Sequence, residues 1–266
     1  MQVKEVEIPY GKSDRFRIYP MGDEHTGTLY CNEDDLKEQI DIIRKDKNAL
    51  WVGMGDKAEF ITPSDPRWEV DSLPKWLHQD NIGTDQEERY CELYRPISHK
   101  CLGLLEGNHE DAIRIHSHQD VQKNICKKLG VENLGYSCFI RLKFKRNKSN
   151  EVHMVTGFFT HGAGCAITKG AKLNRLQRIM DSFEADFYAH GHMHDIITDE
   201  KAYLTLDSRN HIKQKVKVGA VTGCWFMTYA QGVRASYGEK KTYPPSVMGC
   251  PVFLIDPNTG TVKVER

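Results

Sequence analysis

An α/β fold with two mixed β-sheets packed together and helices outside is what these 266 residues predict. Three observations carry that expectation. Helix-period segments concentrate in the first half of the chain, and apolar strand-like runs recur along all of it. Near the N-terminus the order is strand, helix, strand, which calls for a crossover and therefore parallel pairing.

In chain order, residues 16–21 form the first apolar run. Asn32 can cap a helix over 33–47, with Asp34 and Asp35 in its first turn and Leu36, Ile40 and Ile43 at helical spacing. A buried strand follows at 49–54. Residues 61–83 hold Pro63, Pro66, Pro74 and Gly83 without any period, and read as a surface excursion. A helix over about 85–99 leads into a strand at 101–105. One helix then runs from Asn108 through Ile113, Val121 and Ile125 to a stop at Gly130. From about 135 the texture changes to a hairpin of strands, 136–145 and 152–160, joined through the basic 146–150 turn. A helix at 168–183 and a short run at 185–189 come next, then strands at 202–206, 216–221, 252–255 and 261–264. Asp256-Pro257-Asn258-Thr259-Gly260 is the turn between the last two.

Composition narrows the class. With 39% hydrophobic and 28% charged residues the chain is ordinary for a folded domain. Thirty-seven basic residues balance 37 acidic ones, which argues against purely electrostatic capture of nucleic acid or a membrane surface. Eight scattered cysteines without a CxxC pair fit reduced thiols and a cytoplasmic setting. No apolar stretch has signal-peptide or membrane-spanning form.

The chemistry sits at the strand ends. Asp23-Glu24-His25, Gly55-Asp56, Gly107-Asn108-His109-Glu110, His161-Gly162 and Gly191-His192-Met193-His194 each follow an apolar run. Asp23 and His25, one residue apart, would point the same way on extended backbone, as would His192 and His194. Asp56 could bridge two ions, Asn108 adds an amide oxygen, and His161 adds an imidazole. Seven oxygen and imidazole donors suffice for two divalent ions sharing a carboxylate, an arrangement that hydrolyses phosphate esters. These motifs run from 23 to 194, so no cut between them leaves a whole site. One domain over 1–266 is expected, with an active-site loop at about 224–248.

The series DxH, GD, GNH[DE], H, GHxH resembles the calcineurin-like metallophosphoesterase superfamily, and residues 16–194 carry the resemblance. The stretch at 236–245 is similar to bacterial and phage-borne phosphoesterases. The resemblance implies an α/β/β/α sandwich with a dinuclear site beyond the strand ends. One ion would be held by Asp23, His25 and His194, the other by Asn108, His161 and His192, with Asp56 bridging. Hydroxide made at the metals would attack, and His109 would assist the leaving oxygen. Glu59 occupies the place of an Asp that orients that histidine in relatives; a solvent-facing glutamate is the alternative. His190 reads as a packed or orienting group behind the ligands, with direct ligation as the other possibility. Manganese leads the candidate metals, and iron, zinc and nickel also suit mixed oxygen and imidazole donors.

Substrate residues are less defined. Serine/threonine phosphatases of that superfamily carry arginines beside GD and GNHE, where this chain has Lys57 and an acidic Glu106. That favours a phosphodiester of a nucleotide or nucleic acid over a phosphomonoester. Lys57 is either a phosphate contact or a solvated lysine, and Arg114 either a contact or an ordinary helix-surface arginine. Trp225, Phe226, Tyr229, Tyr237 and Tyr243 interleave with Arg234, Lys240 and Lys241, as a base-stacking loop would, or as a packed loop over the second sheet would. Homodimers are common in the superfamily, and some members lose ligands to become interaction scaffolds; here all seven ligand positions and His109 are present.

Overall fold

Tyr19 lies opposite Trp51, and Trp51 opposite Cys101, in parallel register, so the early strand, helix, strand order does close through a crossover. The computed structural model describes residues 1–164 and 166–266. It contains two mixed sheets of six strands each. The first runs β12 (Thr261–Glu265), β11 (Val252–Asp256), β2 (Phe16–Met21), β3 (Ala49–Gly53), β4 (Cys101–Leu105), β5 (Asn133–Gly135). The second runs β1 (Gln2–Tyr10), β6 (Ser137–Arg146), β7 (Val152–Thr160), β8 (Phe187–His190), β10 (Ile212–Thr222), β9 (Ile196–Leu206).

The sheets face each other over one apolar layer that includes Ile18, Val52, Ile140, Phe144, Phe159 and Phe253, all buried. Helices α1 (Glu33–Lys45), α2 (Ile82–Tyr94) and α4 (Val121–Leu129) cover the outer face of the first sheet through Leu36, Tyr90 and Ile125. On the second sheet, α5 (Lys169–Ser182) packs Leu176 and Met180 against Phe158 and Tyr188. Helices α3 (Asn108–Ser117) and the one-turn α6 (Tyr237–Lys240) lie near the strand ends.

Several boundaries differ from expectation, each for a local reason. The helix expected over 85–99 ends at Tyr94 and tightens into a 3₁₀ turn at Arg95–Lys100, because Pro96 lacks the N–H that an α-helix needs. The single helix expected from Asn108 to Gly130 is two helices. His118 turns left-handed at φ 53°, and Asp120 caps the restart by accepting from the Lys123 N–H at 3.0 Å. β1 and β5 were not expected; β1 is an edge strand of mixed charge, and β5 spans three residues. β9 and β10 run well past β8, whose pairing stops at Val218, so Leu204, Leu206 and Ile212 stay exposed on a projecting hairpin.

The excursion at 61–83 is irregular, with one 3₁₀ turn at Val70–Ser72, but it buries Ile61, Leu77 and Ile82. The seven described cysteines are free. Cys165, also expected to be reduced, lies outside the described residues. No helix among the described residues is long and apolar enough to cross a membrane.

Candidate metal centre

The donors come from both sheets. The ends of β2, β3 and β4 deliver Asp23 with His25, Asp56 and Asn108, while β7 and β8 deliver His161 and the His192/His194 pair. The pairs do not align by extended backbone, as the alternation argument expected. Asp23 (φ 53°), His25 (50°), Asp56 (51°), His192 (68°) and His194 (46°) are all left-handed. Asp and His tolerate that region better than most residues, and such conformations persist only where surroundings impose them.

Here a backbone ladder imposes them. Asp23 N–H donates to Gly55 O at 2.9 Å, His25 N–H to Asp56 O at 3.1 Å, and Thr26 N–H to Lys57 O at 3.1 Å. Glu110 supplies the other side, its buried carboxylate accepting from the N–H groups of Asp56 (3.0 Å), Lys57 (2.8 Å) and Gly107 (2.7 Å). Gly107 allows the close approach: a Cβ there would lie 2.2 Å from Asp56 Oδ1.

The converging atoms are nearly all acceptors. His161 Nδ1 lies 2.8 Å from Met54 O, which can only accept, so that nitrogen carries the proton. Its Nε2 faces Asn108 Oδ1 at 3.1 Å and Asp56 Oδ2 at 3.3 Å. His25 donates from Nδ1 to Glu59 Oε2 at 2.8 Å and turns Nε2 toward His194 Nε2 at 3.2 Å. His194 Nε2 is 3.4 Å from Asp23 Oδ1, and His192 Nδ1 is 3.9 Å from Asp56 Oδ2. Asp23 Oδ1 and His192 Nδ1 are buried without a hydrogen-bond partner among the described residues. Asp23, Asp56, His161 and His192 form one group that could hold a metal ion, and Asp23, His25 and His194 another.

Burial works against charge on His161, but Asp56 overrides it and holds the imidazole up at about 9. Burial likewise pushes Asp56 up, and the neighbouring His161 and His109 charges outweigh it, leaving the carboxyl well below its usual range. Oxygen and imidazole acceptors with orphaned buried atoms fit a divalent cation.

The remaining expected residues divide. His109 is at the site, its N–H donating to Asp56 Oδ1 at 3.0 Å. The Glu59 carboxylate orients His25 rather than His109, which instead meets the Glu59 backbone carbonyl through Nδ1. His190 belongs to none of the donor groups; it packs behind them, bonded to Gly191 O at 2.9 Å, and burial holds its pKa below the usual imidazole value. Arg114 is half exposed on α3, where it pairs with Asp111 and Glu106. Trp225, expected as a substrate contact, is instead fully buried against the helix side of the first sheet. Its neighbour Phe226 faces the centre, 5.1 Å from the His25 ring and 5.8 Å from that of His194. Lys57 is not solvated; its buried Nζ reaches Leu105 O at 2.7 Å and Gln122 Oε1 at 2.6 Å. Glu24 is buried beneath Asp23, bonded to Tyr94 OH, and burial pushes it up to about 8.

Above the donors opens a cavity of about 580 Å³. Its walls include Tyr30, Trp68, Phe226 and Tyr237, with Arg67 and Lys172. Residues 226–246 form one wall and residues 61–73 the other. Sequence reasoning named neither Arg67 nor Lys172, since one sits in an aperiodic stretch and the other reads as an ordinary first-turn lysine.

No family model matches the chain, and no curated protein does. Among solved structures, a protein of Streptococcus pneumoniae TIGR4, described as conserved, uncharacterized and a predicted phosphoesterase, is similar over 95% of this chain and 98% of its own, at 12% identity and a TM-score of 0.36.

Proposed function

We propose that the chain is a metal-dependent phosphoesterase, and that its substrate is a phosphodiester of a nucleotide or nucleic acid. The observation that carries this reading is the acceptor-rich convergence around Asp56, with Asp23 Oδ1 and His192 Nδ1 buried without a hydrogen-bond partner among the described residues. Asp23, His25 and His194 would hold one ion and Asn108, His161 and His192 a second, with Asp56 between them. Bound divalent ions there would lower the pKa of water and offset charge on the phosphoryl oxygens.

The chain's own groups do the rest. Glu59 fixes the tautomer of His25, and Met54 O fixes that of His161, so each turns Nε2 inward. Asp56 Oδ1 anchors the His109 backbone, and the Glu59 carbonyl keeps the proton on Nδ1. With Nδ1–H held there, only the imidazolium form of His109 carries a second proton at Nε2, and that proton is the one it would pass to a leaving oxygen. The aromatic walls suit a base.

The test is hydrolysis by chelator-stripped protein with Mn²⁺ restored, comparing a bis-aryl phosphodiester with an aryl phosphomonoester. Metal-dependent turnover favouring the diester is expected. His109→Ala should keep its metal stoichiometry and lose roughly 10²- to 10⁴-fold in turnover, whereas Asp56→Asn should lose metal as well. A metal-free His109→Ala, or a fully active Asp56→Asn, would reject these roles.

A further inference from the structure

An ester seated on the centre exposes phosphoryl oxygens that the donor residues do not face, and three nearby cations are unavailable to them, which leaves Arg67 and the exposed Lys240 on the cavity lining. Lys57 is spent on Leu105 O, Gln122 and Glu110 in the interior. Arg114 is paired with Asp111 and Glu106. Lys172 lines the cavity but is held by Asp195 at 3.2 Å.

Arg67 differs from all three. It enters from the irregular 61–83 segment and lines the cavity together with Asp56, Glu59 and His109. Asp65 takes its Nε–H at 3.0 Å and its Nη2–H at 2.8 Å, and the same carboxylate accepts the Arg67 backbone N–H at 2.8 Å. This closed set of bonds sets the plane of the guanidinium before any ligand arrives, which limits the entropy lost on binding. Of the five guanidinium N–H groups, two are used on Asp65. The other three have no partner among the described residues. The side chain is 37% exposed, sheltered yet open to the cavity. Asp65 chiefly, then Glu59 and Asp56, reinforce its positive charge.

We propose that Arg67, braced by Asp65, is the phosphoryl-binding arm of this site. Its free N–H groups grip the oxygens of a tetrahedral phosphoryl anion, a geometry that a planar fork meets with two parallel bonds. The inference rests on the phosphoesterase reading above, and it relocates the binding cation from the motif flanks to the 61–83 segment.

The experiment titrates inorganic phosphate calorimetrically into Mn²⁺-loaded protein, into Arg67→Ala and into Arg67→Lys. For Arg67→Ala the phosphate Kd should rise about 10- to 100-fold, as expected on losing charge-assisted hydrogen bonds. Arg67→Lys should recover only part, because an ammonium keeps the charge without the fork. Manganese stoichiometry and Tm should stay at wild-type values, which separates binding from folding. With the diester and the monoester, kcat/KM of Arg67→Ala should fall by a similar factor. Equal phosphate affinity in wild type and Arg67→Ala, or no phosphate binding by wild type, overturns the proposal. The parent reading fails separately, if metal-loaded wild type binds phosphate yet cleaves neither ester.

Discussion

Glu110 joins two motif loops by accepting three backbone N–H groups, and its carboxylate lies 3.4 Å from the Lys57 ammonium with both side chains fully buried. Removing it strands a buried charge and three donors. Glu110→Ala should therefore cost about 3–5 kcal/mol, a fall in Tm on the order of 10 °C. Adding Lys57→Met should restore much of that loss. Thermal denaturation decides it: a Glu110→Ala protein that melts with the wild type would show the clasp to be idle. At this scale the sequence spelled out which residues meet at the centre but not which ones support them. Glu110 works through backbone amides, which leave no trace in residue type. Trp225 and Phe226 show the same limit, for their stretch has isolated bridges at Cys224 and Phe226 and no regular strand from which to count faces.

Glu33 and Arg89 tie the start of α1 to α2, with contacts of 2.5 and 3.2 Å. Burial raises the Glu33 carboxyl, and the Arg89 guanidinium outweighs it, so the folded pKa lies below the ordinary value. Its contribution is thus complete above that ordinary value and is lost as pH falls through the folded one. Glu33→Gln should lower stability by about 1 kcal/mol near neutral pH, and the deficit should close between about pH 5 and pH 3. Melting curves across that range check it; a deficit that stays constant down to the acid end refutes the linkage. The same helix illustrates what elements reveal. Its cap at Asn32 and its stripe of Leu36, Ile40 and Ile43 were legible. The break between α3 and α4 was not, because His118 adopts its left-handed turn without a glycine to announce it. β1 turns Glu5, Glu7 and Pro9 outward and Val6, Ile8 and Tyr10 inward, a period-two signal that the sequence does carry behind a charged start.

Across the molecule, Arg234 fastens the two segments that wall the cavity. It reaches Glu69 at 3.0 Å and Asp71 at 3.3 Å, while Tyr30 OH donates to its carbonyl at 2.6 Å. The ion pairs are exposed, so Arg234→Ala should cost under about 1 kcal/mol of stability. Amide exchange in 61–83 and in 224–248 should nevertheless quicken several-fold, since the strap couples the local opening of one segment to that of the other. Exchange measured by mass spectrometry would count against the strap if either segment kept its wild-type rate. Two packed sheets with outer helices were readable from the runs and their order. Which strands lie side by side was not, since alternation tells a strand its face and never its neighbour. β1 beside β6 and β11 beside β2 are long-range choices made by the core.

Because Asp56 belongs to one sheet and His161 to the other, their 3.3 Å separation is also a gauge of how the two layers are seated. One residue along a strand is about as long as that gap. A slip far smaller than one register would pull the two halves of the centre apart, although no donor had changed. Tight interdigitation at Val52 and Phe159 therefore acts as a caliper for chemistry far from either side chain. A divalent ion gripping both halves would act in return as a rivet, so that metal affinity and the rigidity of the sandwich should rise and fall together.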